Sequence, residues 1–334
     1  MKKLIIPLIL LAVVMAATSL AQRRGDRALS SGGISASRGH EDQLYVEVSA
    51  LGNLDYFYDH KLGMKLAARA LGVQTKYVGP AEYDIPAMIT AFEQALAMKG
   101  LKGIVVVGFE PALVPIINKA VESGIPVVTV DADLAESKRV AFVGTGNYQA
   151  GFEGGTKLAE LIGGKGKVAL MTKVGQSNLE ERIRGYKDAL AKYGGISLVQ
   201  IVDTQSDAVI AAQVATAVLR KNPDLAGIGC VEAAGGTGAA TAVKESGLAG
   251  KVKIVSMDRG NEVLELIGQG VISASIAQRT ALMPFYAVEI LYNLANENVP
   301  ITQDNKKAQV STAPSSIDTG VIIVDKSNYK YFLR

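Results

Sequence analysis

The chain has 334 residues, more than one hydrophobic core usually organises, and 49% of them are apolar, enough to build two domains. Its 35 basic residues barely outnumber its 32 acidic residues, giving a formal net charge of +3. Because the basic residues are scattered rather than gathered into a stripe, the composition argues against nucleic acid as a partner.

The first residues have the pattern of a secretory signal peptide. Lys2 and Lys3 precede the apolar run from Leu4 to Ala17, and Ser19-Leu20-Ala21 is a small-x-small cleavage site. A membrane-spanning helix needs about 20 apolar residues, so this shorter run predicts a cleaved signal over residues 1–21 rather than an anchor. Residues 22–42 are rich in Arg, Gly and Ser without periodicity, which predicts a flexible tether.

The single cysteine, Cys230, lies far from the cleavage site and cannot carry a lipid there. We therefore expect a free periplasmic protein rather than a lipoprotein, and no internal disulfide. Cys230 stands in an apolar run, which is typical of a small core residue rather than of a nucleophile.

From Leu44 onward, short β-branched runs alternate with segments of helical period. This alternation predicts an α/β fold in which crossover helices cover both faces of parallel sheets. The predicted strands are Leu44–Val48, Thr75–Val78, Ile104–Val107, Val127–Val130, Val168–Met171, Leu198–Val202, Ile228–Val231 and Ile254–Met257. The clearest predicted helices are Ile85–Met98, Asn178–Ala191 and Ala208–Leu219.

Polar side chains follow many of these strands. In open α/β sheets ligands bind outside the carboxyl ends of the strands, so these residues are the candidates for a binding site. Amides, carboxylates and a hydroxyl suit hydrogen bonding to several hydroxyl groups of one ligand. The candidates are Ser49, Asn53, Asp131, Asp133, Asn147, Glu232, Asp258 and Gln278.

Catalytic, metal and cofactor motifs are missing. His40 lies in the predicted tether and His60 in a predicted helix, so neither a histidine triad nor a histidine-rich metal site is supported. The cluster Gly144-Thr145-Gly146-Asn147 lacks the third glycine of a dinucleotide site, and Gly163-Gly164-Lys165-Gly166-Lys167 precedes a strand instead of following one. We therefore expect no enzymatic activity and no cofactor.

Asp131 and Asp133 are a pair of carboxylates that could in principle work as acid and base. Residues two apart on a strand end point the same way, so the pair could equally accept hydrogen bonds from one ligand. Asp133 could instead cap the segment that follows. Without a histidine or metal beside them, binding is favoured over catalysis.

Several fragments together resemble the ribose-binding-like family of periplasmic solute-binding proteins, from about Leu44 to Val324. Each fragment is common by itself, but their order and spacing over the whole mature chain are specific. They are Val48-Ser49 leading into Asn53-Leu54-Asp55-Tyr56-Phe57 and Gly63, Gly124-Ile125-Pro126-Val127-Val128 with Asp131, Asn147 with Gly151, Arg182 with Gly185-Tyr186, Ile254 to Asp258, and Ile276-Ala277-Gln278.

The resemblance implies the type I periplasmic binding protein fold, with two doubly wound parallel-sheet lobes joined by a three-segment hinge. The chain would leave the first lobe near Asn147, return near Gln278 and cross again near the C-terminus. Residues 43–146 plus 279–310 would form the N-terminal lobe, and residues 147–278 plus 311–334 the C-terminal lobe. Ligand would lie in the cleft between the lobes, which close on it by hinge motion.

The resemblance also implies the residues that line the cleft. Tyr56 and Phe57 would stack on the C–H face of a sugar ring, unless they belong to the core. Arg182 would donate to the ligand, unless it is a surface helix residue like Arg184. The full set of predicted ligand-binding residues is Asn53, Tyr56, Phe57, Asp131, Asp133, Asn147, Arg182, Glu232, Asp258 and Gln278, with no catalytic and no metal-binding residues among them.

Three departures from the family pattern bear on the ligand. Ala132 stands where ribose binders often have a basic contact, Gln205 or Ser206 where they often have an aromatic, and Glu232 where asparagine is usual. Ribose is therefore disfavoured. Another pentose, a hexose, a deoxysugar, a polyol or a furanose signal remains open.

The resemblance implies a monomer that delivers a small sugar or polyol to the permease of an ABC transporter. The alternative is a ligand-dependent partner of a chemoreceptor or sensor histidine kinase. The sequence does not distinguish this signalling role from a role in transport. The effector lobe of a transcriptional repressor shares this fold, but the signal peptide and the lack of a basic helix-turn-helix before Leu44 disfavour it.

Overall fold

The computed structural model describes residues 40–333, which form two six-stranded sheets with helices packed on them. The strands are β1 Leu44–Val48, β2 Gln74–Val78, β3 Leu101–Val107, β4 Val127–Val130, β5 Ala141–Gly144, β6 Lys165–Thr172, β7 Gly195–Asp203, β8 Leu225–Cys230, β9 Lys253–Met257, β10 Ala274–Gln278, β11 Ser316–Asp318 and β12 Val321–Asp325. The helices are α1 Asp55–Leu71, α2 Ile85–Leu96, α3 Val114–Glu122, α4 Asn147–Leu161, α5 Ser177–Leu190, α6 Ala208–Lys221, α7 Ala233–Glu245, α8 Asn261–Gly268 and α9 Leu282–Ala295. Short 3-10 helices cover Pro111–Leu113 and Tyr329–Phe332.

The two sheets have the same winding. The first has the order β11-β5-β4-β3-β1-β2 and all its pairs are parallel. The second has the order β12-β10-β9-β8-β6-β7 and is parallel except for β12, which runs antiparallel to β10. This confirms the predicted α/β fold with two doubly wound sheets. We call each sheet, with the helices on it, the N-terminal and the C-terminal lobe.

Each sheet is covered on both faces, as its apolar strands require. In the N-terminal lobe one cluster lies around Tyr45 and Phe57 and another around Phe92 and Ile117. The eight strands predicted from apolar runs all lie within or overlap observed strands. The structure adds β5, β10, β11 and β12, of which β5 and β11 span only four and three residues and carry too little periodicity to be recognised.

The chain passes between the sheets three times. Thr145 and Gly146 connect β5 of the first sheet to α4, which packs on the second sheet. The segment after Gln278 leads from β10 back to α9, which packs on the first sheet. The third passage lies between Asp318 of β11 and Val321 of β12. The predicted division at residue 311 is thus too early for this strand, because Ser316–Asp318 pair with β5 of the first sheet.

Helices α4 and α5 approach each other closely enough to exclude any side chain at two positions. A Cβ on Gly151 would lie 1.9 Å from the carbonyl oxygen of Arg182, and one on Gly185 would lie 2.1 Å from that of Tyr148. The two glycines therefore allow backbone contact between these helices, which holds α5 and its Arg182 against the segment that starts at Asn147.

The predicted signal peptide, residues 1–21, and most of the predicted tether lie outside the described residues. No helix within residues 40–333 combines the length and the apolar character that crossing a membrane requires.

A buried ion pair lies in the N-terminal lobe beneath the first turns of α1. His60 Nδ1 is 2.6 Å from Glu47 Oε1, and both side chains have no exposed surface. No described residue hydrogen-bonds to the remaining atoms of the pair, Glu47 Oε2 and His60 Nε2. Burial by itself lowers the pKa of His60, but the charge and hydrogen bond of Glu47, with the charges of Asp131 and Asp59, outweigh it and raise the pKa.

This pair predicts a stability contribution that depends on pH. Because the pKa of His60 is raised in the folded state, its contribution is complete below the unfolded value of about 6.5 and is lost as pH rises through the folded value. In urea unfolding, His60→Gln should therefore lower the free energy of unfolding most below about pH 6.5, and the difference from wild type should shrink as pH rises.

A wild-type minus His60→Gln difference that stays constant or grows with pH would contradict the assignment.

Candidate functional site

A cleft of about 450 Å³ lies between the carboxyl ends of the strands of both lobes. The N-terminal lobe contributes Asn53, Leu54, Tyr56 and Asp59 to its lining. The C-terminal lobe and the hinge contribute Ala233, Asp258, Arg259, Gly260, Asn261, Glu262, Gln278 and Thr280. A cleft of this size and position matches the usual location of ligand sites in open α/β sheets.

Two aspartates occupy equivalent positions in the two lobes. Asp131 follows β4 and donates its backbone N–H to Val143 of β5, while Asp258 follows β9 and donates its backbone N–H to Ile276 of β10. Both adopt a left-handed backbone, with φ of 64° for Asp131 and 65° for Asp258. This conformation is uncommon for a residue other than glycine and recurs at functional sites. The same local geometry therefore presents one carboxylate at the strand ends of each lobe.

Tyr56 lies in the first turn of α1 and reaches Asp131. Its hydroxyl donates a hydrogen bond of 2.6 Å to Asp131 Oδ1. Burial, followed by the charges of Asp131 and Asp258, raises the pKa of Tyr56 well above its usual value of 10. The phenol therefore stays neutral at physiological pH and acts as a hydrogen-bond donor to Asp131.

Arg182 is buried on α5, with 5% of its surface exposed, and connects several predicted site residues. Its Nε donates to Asn147 Oδ1 at 2.8 Å, its Nη1 to the Val231 carbonyl at 3.0 Å, and its Nη2 to Gln278 Oε1 at 3.3 Å. The planar fork of donors thus contacts three segments at once. Asn147 and Gln278 flank the first two passages between the lobes, so the guanidinium joins the site to the hinge.

Gln278 extends this network to the cleft. Its Nε2 donates to Asp258 Oδ1 at 3.0 Å. Burial raises the pKa of Asp258, the charge of Arg182 and the bond from Gln278 lower it in part, and the charges of Asp131 and Glu232 add to the rise. The net pKa of Asp258 is raised, because its desolvation in the cleft exceeds the compensation from its partners.

Asn53 is exposed at the rim, where its Nδ2 donates to Glu82 at 3.2 Å. The structure thus brings Asn53, Tyr56, Asp258 and Gln278 together in the cleft lining. Asp131 joins them through Tyr56, and Arg182 joins them through Gln278.

Phe57, Asp133 and Glu232 have structural partners instead. Phe57 is 2% exposed and packs in the core cluster of the N-terminal lobe. Asp133 pairs both of its carboxylate oxygens with Arg139 and accepts bonds from Thr129 Oγ1 and the Leu134 N–H.

Glu232 is the N-cap of α7. Its side chain accepts from the N–H groups of Ala234 and Gly235 at 2.8 Å each, and from Thr204 Oγ1 at 2.8 Å. These bonds use the carboxylate to satisfy the first turn of the helix. Phe57, Asp133 and Glu232 are thus not among the described residues that line the cleft.

Several residues of the lining were missed by the sequence analysis. Asp59, Arg259 and Thr280 meet at the inner end of the cleft, and Asn261 and Glu262 begin α8. Two features of the sequence could have identified Asp59 and Arg259. Arg259 directly follows Asp258 at the strand end, and Asp59 is three residues after Tyr56, on the same face of the helix.

The described cleft offers carboxylates, amides, a guanidinium and a phenol, a set that can donate and accept several hydrogen bonds around a small polar ligand. Within residues 40–333, no group of three or more His, Cys, Asp and Glu side chains is arranged to hold a metal ion. The arrangement is suited to holding a ligand with many hydroxyl groups.

Comparison with known proteins agrees with this geometry. Residues 46–298 match the family model described as a periplasmic binding protein domain. The chain is 32% identical over 240 residues to the D-allose-binding periplasmic protein of Escherichia coli (strain K12), which covers 68% of this chain and 76% of that protein.

Two solved structures have closely similar folds. The arabinose-binding protein AraP from Geobacillus stearothermophilus superposes with a TM-score of 0.83 at 35% identity, covering 88% of this chain and 100% of that one. A sugar-binding protein of a sugar ABC transporter from Bacillus halodurans gives a TM-score of 0.83 at 36% identity, covering 87% and 99% of the two chains. With the matching family model and the two-lobed fold, these similarities establish that the chain belongs to the periplasmic binding protein family.

Proposed function

We propose that this protein binds a monosaccharide or a related polyol in the cleft between its lobes and delivers it to an ABC transporter. The observation that carries the proposal is the pair of left-handed aspartates, Asp131 and Asp258, which present one carboxylate from each lobe. A ligand with hydroxyl groups on opposite sides can donate to both carboxylates at once. Charge-assisted bonds of this kind are roughly twice as strong as neutral ones.

The remaining polar groups have roles that fit such a ligand. Gln278 orients the Asp258 carboxylate through a hydrogen bond of 3.0 Å, and Arg182 in turn holds Gln278 through a hydrogen bond of 3.3 Å. Tyr56 presents its ring and a neutral hydroxyl to the cleft, and Asn53 adds an amide at the rim. Asn147 accepts a hydrogen bond from Arg182 and so helps to hold its guanidinium in place. A cleft of about 450 Å³ falls within the usual range for small-molecule sites of about 300–1,000 Å³.

The relatives support a sugar as the ligand class. One is named for D-allose, and two solved structures are titled as arabinose-binding and sugar-binding proteins. Their names are those of solute-binding proteins rather than enzymes, which supports a protein without catalytic activity. The name of the D-allose-binding relative also supports an extracytoplasmic location, in agreement with the predicted signal peptide.

Binding would work by a shift between open and closed arrangements of the lobes. A ligand that contacts Asp131 and Asp258 together gains both contacts only when the cleft is closed. Differential affinity for the closed arrangement is what moves the equilibrium toward it. The closed protein, with its ligand enclosed, would then be the species that the permease recognises.

Thermal unfolding against a panel of pentoses, hexoses, sugar alcohols and amino acids tests the ligand class. A sugar at about a hundred times its dissociation constant adds about 2.7 kcal/mol to the stability of the protein, which is a clear upward shift in Tm. We expect such a shift with at least one carbohydrate. A shift with an amino acid and with no carbohydrate would contradict the sugar assignment.

Asp258→Asn tests the central carboxylate while preserving its size. We expect at least a tenfold weaker sugar affinity by isothermal titration calorimetry, because a charged acceptor in a buried cleft is replaced by a neutral one. Unfolding in the absence of ligand should remain cooperative.

The matched control is Asp224→Asn, which removes an exposed carboxylate that pairs with Lys167 outside the cleft. Its affinity should equal that of wild type. Equal affinities for Asp258→Asn and Asp224→Asn would remove Asp258 from the site.

A further inference from the structure

An ion pair joins the two lobes at the inner end of the cleft. Arg259 Nη2, in the loop after β9 of the C-terminal lobe, donates to Asp59 Oδ2 on α1 of the N-terminal lobe. The same Asp59 oxygen accepts a hydrogen bond of 2.6 Å from Thr280 Oγ1, in the hinge segment between β10 and α9. One carboxylate oxygen of the N-terminal lobe therefore contacts both the opposite lobe and the hinge.

The ion pair between Asp59 and Arg259 is less exposed to solvent than a surface ion pair. The Asp59 side chain is 7% exposed and that of Arg259 is 23% exposed, so solvent screens their attraction only in part. The Arg259 guanidinium also lies 5.7 Å from the centre of the Phe332 ring, in the C-terminal 3-10 helix. The aromatic face and the carboxylate together hold the guanidinium in one orientation.

Ion pairs elsewhere in residues 40–333, such as those between Lys138 and Glu122 and between Lys167 and Asp224, lie within a single lobe. The contact of Asp59 with Arg259 instead requires the two lobes to be close, because its partners belong to different sheets. Opening the cleft would separate Asp59 from Arg259, whereas the hydrogen bond from Thr280 in the hinge would remain. Breaking a largely buried charge pair in this way is unfavourable.

We propose that Asp59, Arg259 and Thr280 form an interlobe clasp that holds a fraction of the protein closed without ligand and thereby sets the affinity for the sugar. The clasp contributes to affinity by positioning the lobes, since the apparent dissociation constant rises as the fraction of the binding-competent arrangement falls. The effect on affinity rests on the proposed sugar-binding function, whereas the effect on closure does not.

The first experiment measures closure without any ligand. Spin labels are attached at Ala81→Cys and Val209→Cys, exposed positions that follow β2 and β7 at corresponding edges of the two sheets. Cys230 is 1% exposed and stays unlabelled. Double electron–electron resonance then reports the distance between the lobes in the labelled protein and in the same protein carrying Asp59→Asn or Arg259→Gln.

We expect a short-distance population in the labelled protein that falls at least severalfold in both variants. Glu122→Gln, which breaks the exposed pair within the N-terminal lobe, should leave the distribution unchanged. The clasp is overturned if Asp59→Asn, Arg259→Gln and Glu122→Gln all give the same distribution as the parent. A longer distance in the two clasp variants supports it even if no sugar in the panel binds.

The second experiment measures sugar affinity in a double-mutant cycle. Asp59→Asn and Arg259→Gln should each weaken binding roughly tenfold, within the range that coupling between sites usually gives. The double variant should lose no more than either single variant, because each change removes the same contact. Thr280→Val should weaken binding less, since it removes one hydrogen bond and keeps the ion pair.

The cycle also separates the clasp from direct contact with the ligand. If Arg259→Gln weakens binding while Asp59→Asn does not, Arg259 acts on the sugar itself and the proposal is wrong. Fully additive losses would likewise overturn it. Cooperative thermal unfolding of each variant in the absence of sugar verifies that the comparison is made between folded proteins.

Discussion

The buried guanidinium of Arg182 is the contact on which the arrangement of the cleft depends. It donates to Asn147, where the chain enters the C-terminal lobe, and to Gln278, where the chain leaves it. A charge so deeply buried is tolerated only with hydrogen bonds to satisfy its donors, and here these partners are the hinge flanks and the Val231 carbonyl. The same group therefore stabilises the hinge and orients the Asp258 carboxylate through Gln278.

The close contact of α4 with α5 is the packing condition for this network. Gly151 and Gly185 allow the two helices to meet backbone to backbone, which brings Arg182 within reach of Asn147. A larger residue at either position would separate the helices and lengthen that bond. Helix packing and hinge geometry are thus coupled in the C-terminal lobe, whereas in the N-terminal lobe Tyr56 on α1 bonds directly to Asp131.

The charges of the cleft are held in different ways in the two lobes. Asp258 is bonded to a neutral amide beside a buried cation, while Asp131 is bonded to a phenol beneath which the His60 and Glu47 pair lies. Asp59 is bonded across the cleft to Arg259. Each carboxylate thus has a partner of its own that compensates for its removal from bulk water.

The periodicity of the sequence determined the sheets and helices. Strands that are apolar on both faces are buried only when helices cover both faces of the sheet. The same pattern placed Asp131, Asp258 and Gln278 at strand ends, where the fold collects polar side chains. It could not tell Phe57, which faces the core, from Tyr56 beside it, nor predict that Asp133 and Glu232 would be held by Arg139 and by the first turn of α7.

Only the tertiary structure decided which distant side chains meet. Asp59 and Arg259 are 200 positions apart in the chain, and no local pattern links a residue within a helix of one lobe to a loop of the other. The short strand β11 joins the first sheet for the same reason, since its partner β5 lies far away in sequence. Local sequence thus determined the elements and their polar ends, and the packing of two lobes across a hinge determined the site.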